Sequence, residues 1–285
     1  WLATKGKGIK IAIIDSGIFQ QHPNLAHIDS AHIHGATTKN NPTVDRQGHG
    51  THVTGIINGR LADGKGISGI APEAEVFCIK ARDDTFNYFK DSVVDAIQWA
   101  INQQVHLINM SFTLLADTAI SNKLAEASSK GILLVAAAGD NQRLNNQPLF
   151  FPADTPECLA IGGLTEASYA QNILPRYQQG GDAPFANLDL VLPNFPMESC
   201  YKATGDPASP GYFKKEEGSS MATAFMSGTI ALLLAHLINN EGMNFSAIDL
   251  AVIKNRLNSI TEPLKSGFIS SDQIIRFYNP KIDAT

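Results

Sequence analysis

The chain has 285 residues, of which 44% are hydrophobic and 17% charged, so it can bury a sizeable core and is no disordered polymer. Its 22 Lys and Arg against 27 Asp and Glu give a formal net charge of −5, with no basic field for nucleic acid and no polybasic membrane anchor. Three widely spaced cysteines, Cys78, Cys158 and Cys200, do not make a disulfide framework, and the absence of a Cys-x-x-Cys pair argues against zinc.

In chain order, Trp1-Leu2-Ala3-Thr4-Lys5 is not a signal peptide and reads as the start of a mature form or an excised domain. Ile9 to Ile14 is a short apolar run that ends at Asp15. Val76 to Ile79, Leu107 to Met110, Ile132 to Ala137 and Leu159 to Ile161 are similar runs. Ser92 to Gln103 and Ile120 to Ser129 place apolar residues at helical spacing. Wholly apolar strands alternating with helices predict a doubly wound, mainly parallel α/β sheet covered on both faces, in one domain over residues 1–285. Functional residues of such sheets collect at the carboxyl ends of strands, where Asp15 sits. Cys78 and Cys158 lie in apolar runs and are expected as buried thiols, with a bridge from Cys200 to one of them as the alternative. Asp182 to Lys215, rich in Pro, Gly, Asn and Asp, reads as extended surface segments. Met221 to Ile238 is long enough to span a membrane, but Thr223, Ser227, Gly228, Thr229 and His236 interrupt it, and a buried central helix is expected. Ala247 to Leu257 is a last amphipathic stretch.

Acyl transfer by serine needs a nucleophile, a base, a carboxylate to orient the base, and oxyanion donors. Asp15-Ser16-Gly17 ends a strand, which on its own is ordinary turn chemistry. Gly48-His49-Gly50-Thr51-His52 displays His49 at a tight helix start, and no Glu accompanies the two histidines as a zinc peptidase would require. Gly218-Ser219-Ser220-Met221-Ala222 sets a serine at the start of the long apolar helix, beside unpaired N–H groups and the positive dipole end. A simple capping serine is the plain alternative there.

Together these segments resemble the subtilisin-like serine proteases, whose chain order is Asp, His, Ser. Gly69-Ile70-Ala71-Pro72, Ile108-Asn109-Met110-Ser111 and Ala136-Ala137-Ala138-Gly139 are similar to further family segments in the expected order. The resemblance implies a serine endopeptidase with Asp15, His49 and Ser220 as triad, acting on an extended peptide or protein, with His52 as structural packing. It implies a groove lined by Ser111, Phe112 and Thr113 and a first specificity pocket walled by Ala137, Ala138 and Gly139 with Phe150 near its floor. The bulk of Phe150 and Thr113 is expected to favour small side chains before the cut. At the family's oxyanion asparagine this chain has Asp140, followed by Asn141. An ionised carboxylate cannot donate. Three arrangements are open: a protonated Asp140, Asn141 in its place, or a slow enzyme that relies on the Ser220 N–H and the Ser219 hydroxyl. Ala224 stands where the family has proline, so the helix is expected to continue straight.

The family's structural calcium is expected to be weak or absent, because Asn24 replaces a ligating Asp and Arg60 and Lys65 flank the loop; no other cofactor is expected. An N-terminal pro-segment or inhibitor is an expected partner, and family habit favours secretion. A dedicated processing protease and an inactive peptide-binding module are the alternatives. Gly64-x-Gly66-x-x-Gly69 reads as a glycine-rich turn, His32 and His34 as edge histidines, and Asn109-Met110-Ser111 as a buried strand rather than a glycosylation site.

Overall fold

Uninterrupted runs of Ile, Leu and Val suit strands that are covered on both faces. In the computed structural model, which describes residues 4–36, 44–85, 87–139, 150–164, 189–193, 196–202 and 212–258, they become β1 (Lys10–Asp15), β3 (Glu75–Lys80), β4 (Leu107–Met110), β5 (Leu133–Ala137) and β6 (Cys158–Leu164). With β2 (Ile33–Gly35) and β7 (Leu190–Pro193) at the edges they form a seven-stranded sheet in the order β2-β3-β1-β4-β5-β6-β7, parallel throughout. β8 (Met197–Cys200) and β9 (Phe213–Glu216) pair antiparallel beside it.

The two-residue period of each strand divides the core. Ile11 and Ile13, Val76 and Cys78, Leu133 and Val135 face the side covered by α1 (His49–Asn58) and α4 (Ser219–Asn239). Ala12 and Ile14, Phe77 and Ile79, Leu134 and Ala136 face α2 (Lys90–Asn102) and α3 (Thr118–Ser129). The described elements thus make one domain of three layers. The apolar window of α4, of mean hydropathy 1.8, is 83% buried, so this is the core helix the sequence predicts. All three cysteines are free and buried, which settles the alternatives against a bridge among them. Burial pushes the thiols of Cys78 and Cys158 up to about 12 and that of Cys200 higher still, so they are inert small hydrophobes.

Two sequence expectations need correction. The stretch from Asp182 to Lys215 was expected as surface, yet Leu190 and Leu192 of β7 are buried in the main core and Ser199 and Cys200 of β8 pack against α1. These strands are four residues long and sit among turn formers, which hides their alternation. The last helix, α5 (Leu250–Asn258), starts later than its apolar pattern, because the Asp249 carboxylate accepts from the Val252 N–H (2.8 Å) at its first turn.

Candidate active site

β1 lies between β3 and β4. After β1 the chain goes to the edge strand β2, returns through β3 beside β1, and then crosses to the other side and runs outward through β4, β5, β6 and β7. The carboxyl end of β1 is therefore the switch point where an open α/β sheet has its crevice. Asp15 is the last residue of β1, and Ser111 follows the end of β4. α1 and α4 lie side by side on one face and begin at His49 and Ser219. Gly48 caps α1 with φ +90°, and a Cβ on Gly50 would collide with the Gly17 carbonyl, so both glycines let His49 approach the turn after β1.

His49 Nδ1 lies 2.8 and 3.0 Å from the two oxygens of Asp15. Asp15 is 1% exposed and also accepts from the Ser16 N–H (2.7 Å). An Nδ1–H donating to this carboxylate leaves Nε2 as the basic nitrogen of the neutral ring. Burial opposes charging of His49, but the charge and hydrogen bond of Asp15, with a contribution from Glu216, outweigh it, and the imidazole pKa is raised. The His49 imidazole, followed by NMR, should therefore titrate above the ordinary value of about 6.5. Asp15→Asn should bring it down, and a wild-type titration at or below that value would contradict this electrostatic account.

Ser220 is the second residue of α4, half-buried, with Met221 and Ala222 N–H both turned to the Gly218 carbonyl. Its Oγ donates to the Ser111 carbonyl (2.9 Å), and the Ser111 Oγ donates to the Ser220 carbonyl (2.9 Å). Behind them the Asn109 amide donates to the Ser111 Oγ (3.0 Å) and accepts from the Ser227 Oγ (2.9 Å). Asn109 is thus a fully buried clamp between β4 and α4, as expected of a strand residue rather than a glycan acceptor.

His49, Ser111, Phe112, Thr113, Ala137, Gly139, Ser219 and Ser220 line one cavity of about 320 Å³. Ala138 does not line it. Strand alternation turns this residue into the core, where it is fully buried. Phe150 stands against Gly139, since a Cβ there would strike its ring. Asp140 and Asn141 lie outside the described residues. His52 is fully buried and its Nε2 meets the Lys214 and Met197 carbonyls (2.9 and 3.1 Å), tying α1 to β9 and β8.

The family model described as the subtilase family matches residues 6–257. The chain belongs to the subtilase family of serine peptidases. It is 31% identical to Subtilisin Savinase of Lederbergia lenta over 95% of this chain and 92% of that one. It is 30% identical to Subtilisin E of Bacillus subtilis over 81% of this chain, and spans only 56% of that relative's length. A solved mutant of the protease domain of PatA has the same fold, with a TM-score of 0.74 at 23% identity over 98% of this chain and 99% of that one.

In this subtilase the sequence reading missed Asp45. Its carboxylate is 1% exposed and accepts from the Ser16 Oγ (2.9 Å), the N–H groups of Gln47, Gly48 and Thr51 (3.0, 2.8 and 2.9 Å) and the Thr51 Oγ (2.6 Å). Burial pushes its carboxyl pKa up, against the pull of the Thr51 and Gly48 donors. The one sequence signal is an Asp four residues before His49, at capping distance from α1. Arg82, Asn87, Tyr88 and Leu114, which complete the cavity, were also missed.

Proposed function

We propose that this protein is a serine endopeptidase that forms its acyl-enzyme on Ser220, with His49 as base and Asp15 as the group that orients it. The observation that carries the reading is the two-oxygen contact of Asp15 to His49 Nδ1, at the wall of the cavity that also holds Ser220. Rotation of Ser220 about χ1 would free its Oγ from the Ser111 carbonyl and turn it toward His49 Nε2. His49 then takes the hydroxyl proton as Oγ attacks the scissile carbonyl, and returns it to the leaving amine. The Ser220 N–H, in the first turn of α4, is a natural oxyanion donor, because such groups have no acceptor inside their helix. Asp140 as a protonated donor, with Asn141 and the Ser219 hydroxyl as further candidates, completes the proposal.

The test is labelling by a fluorophosphonate between about pH 5 and 9, comparing wild type, Ser220→Ala and Asp140→Asn. Labelling that requires Ser220 supports the reading, and a profile displaced to higher pH in Asp140→Asn supports a protonated Asp140. No labelling, with peptide binding retained, would favour an inactive binding module. Breadth of cleavage on an unstructured protein such as casein separates a general peptidase from a dedicated processing enzyme. Within the same reading, substrates bind extended along Ser111–Thr113, and Thr113 with Phe150 narrows the first pocket toward small side chains. Efficient cleavage after Phe or Tyr would contradict that.

We propose further that the loop from Asn58 to Ile67 holds its shape without calcium. The buried Asn24 amide donates to the Arg60 and Lys65 carbonyls (2.6 and 3.0 Å), so two oxygens that could serve a cation already meet an N–H group. Adding a chelator should leave Tm unchanged, and a large calcium-dependent rise in Tm would overturn this.

A further inference from the structure

Between β3 and α2, Arg82 and Tyr88 are opposed in a β-bridge, and Arg82, Asn87 and Tyr88 line the wall of the cavity. This segment is tied to the catalytic centre at its root. The N–H groups of Ala81 and Arg82 both donate to the Asp15 carbonyl (2.9 and 3.1 Å). Asp83 closes the turn by accepting from the N–H groups of Thr85 and Asn87 (2.9 Å each). Lys80, only 1% exposed, braces it with Nζ on Asp84 (2.6 Å) and on the Val44 carbonyl (2.7 Å), while Arg46 pairs with the same Asp84 (3.2 Å).

This frame presents one cation. The Arg82 guanidinium lies 5.5 Å from the centre of the Tyr88 ring, and that ring packs on Phe112 at 4.3 Å between centroids. A guanidinium held over an aromatic face is oriented before any ligand arrives. Among the described residues that line the cavity, Arg82 is the one with a permanent charge. The charge of Arg82 also reaches the imidazole, where it opposes protonation of His49.

Building on the reading of this cavity as the substrate site, we infer that Arg82 is a specificity-determining residue that receives the carboxylate of an Asp or Glu side chain in the bound peptide, close to the scissile bond. Guanidinium has five N–H donors in a planar fork, so it can keep its framework contacts and still present a pair of donors to a carboxylate. A neutral Gln or Asn side chain offers one oxygen and no charge, and a Lys or Arg side chain is repelled.

Binding to the Ser220→Ala protein tests this without turnover. The probes are blocked, fluorescent peptides in matched sets with Glu, Gln or Lys at each position flanking the cut. Glu should bind about tenfold or more tightly than Gln at one position, and the advantage should shrink as ionic strength rises toward about 1 M. Arg82→Gln should erase it, and Arg82→Glu should turn the preference toward Lys. Equal binding of Glu and Gln peptides by the Ser220→Ala protein, no binding of either, or an acid preference that survives in Arg82→Gln overturns the assignment. The Ser220→Ala comparison decides the matter even if an Arg82 variant fails to fold. Absence of fluorophosphonate labelling in the wild type would instead remove the peptidase reading and leave the binding result standing.

Discussion

Asp15→Asn is expected to lower kcat/KM by about four orders of magnitude, the scale that a misoriented imidazole costs a Ser-His-Asp triad. Both Asp15 oxygens lie within 3.0 Å of His49 Nδ1, and Oδ1 also holds the Ser16 N–H. An amide keeps the shape but offers a donor where the ring must itself donate. The imidazole then turns its basic nitrogen inward, and no base faces Ser220. The negative charge that stabilises the imidazolium also disappears. Peptide affinity measured on the inactive protein should change little, because Asp15 does not line the cavity. A loss below about tenfold, or a loss confined to KM, would show that Asp15 does not orient the base.

Asp45→Ala should destabilise the fold by about 3–5 kcal/mol, which for a domain of this size lowers Tm by roughly 6–20 °C. The carboxylate gathers donors from Ser16, Gln47, Gly48 and Thr51. Truncation leaves these groups facing each other in a buried site, and α1 loses the carboxylate that complements the positive end of its dipole. Ser16 Oγ also accepts the Gly50 N–H (2.9 Å), so the turn after Asp15 and the helix that carries His49 loosen together. Asp45→Asn should fall between, since one amide oxygen can still accept. Urea unfolding of the three proteins checks the order. A change below about 1 kcal/mol for Asp45→Ala would mean that the helix start is set by its glycines instead.

Where burial is two-sided, letters alone were enough. Leu107 to Met110 is read with the bounds it has, and Ile9 to Ile14 and Val76 to Ile79 are shifted or extended by a residue or two. Such strands are apolar on both faces, and no other role suits them. β2 was legible only as an extended run with edge histidines, because its residues, Ile33-His34-Gly35, are half-buried at the sheet edge, with His34 stacked on Trp99 at 4.8 Å instead of being apolar. The candidate triad was legible because each member sits in a dense motif of glycines that the backbone geometry demands. Asp45, Asn109 and Arg82 were not. Asp45 reaches Ser16 and Asn109 reaches Ser227 across the fold, contacts that the capping distance before His49 only partly announces. Arg82 faces Tyr88 across a β-bridge between β3 and α2 that no apolar alternation in that polar stretch marks.

The exchange between Ser111 and Ser220, in which each hydroxyl holds the other's carbonyl, acts as a ruler. The edge along which a peptide would lie and the helix that carries Ser220 are joined there, and the bond from the Ser111 hydroxyl to the Ser220 carbonyl, backed by Asn109 and Ser227, stays in place when the Ser220 Oγ turns away. A chain aligned anywhere on that edge is already measured off against the serine. Grip far from the cut is thereby spent on timing rather than on holding, and trimming a substrate at its distant end should slow turnover as well as weaken binding.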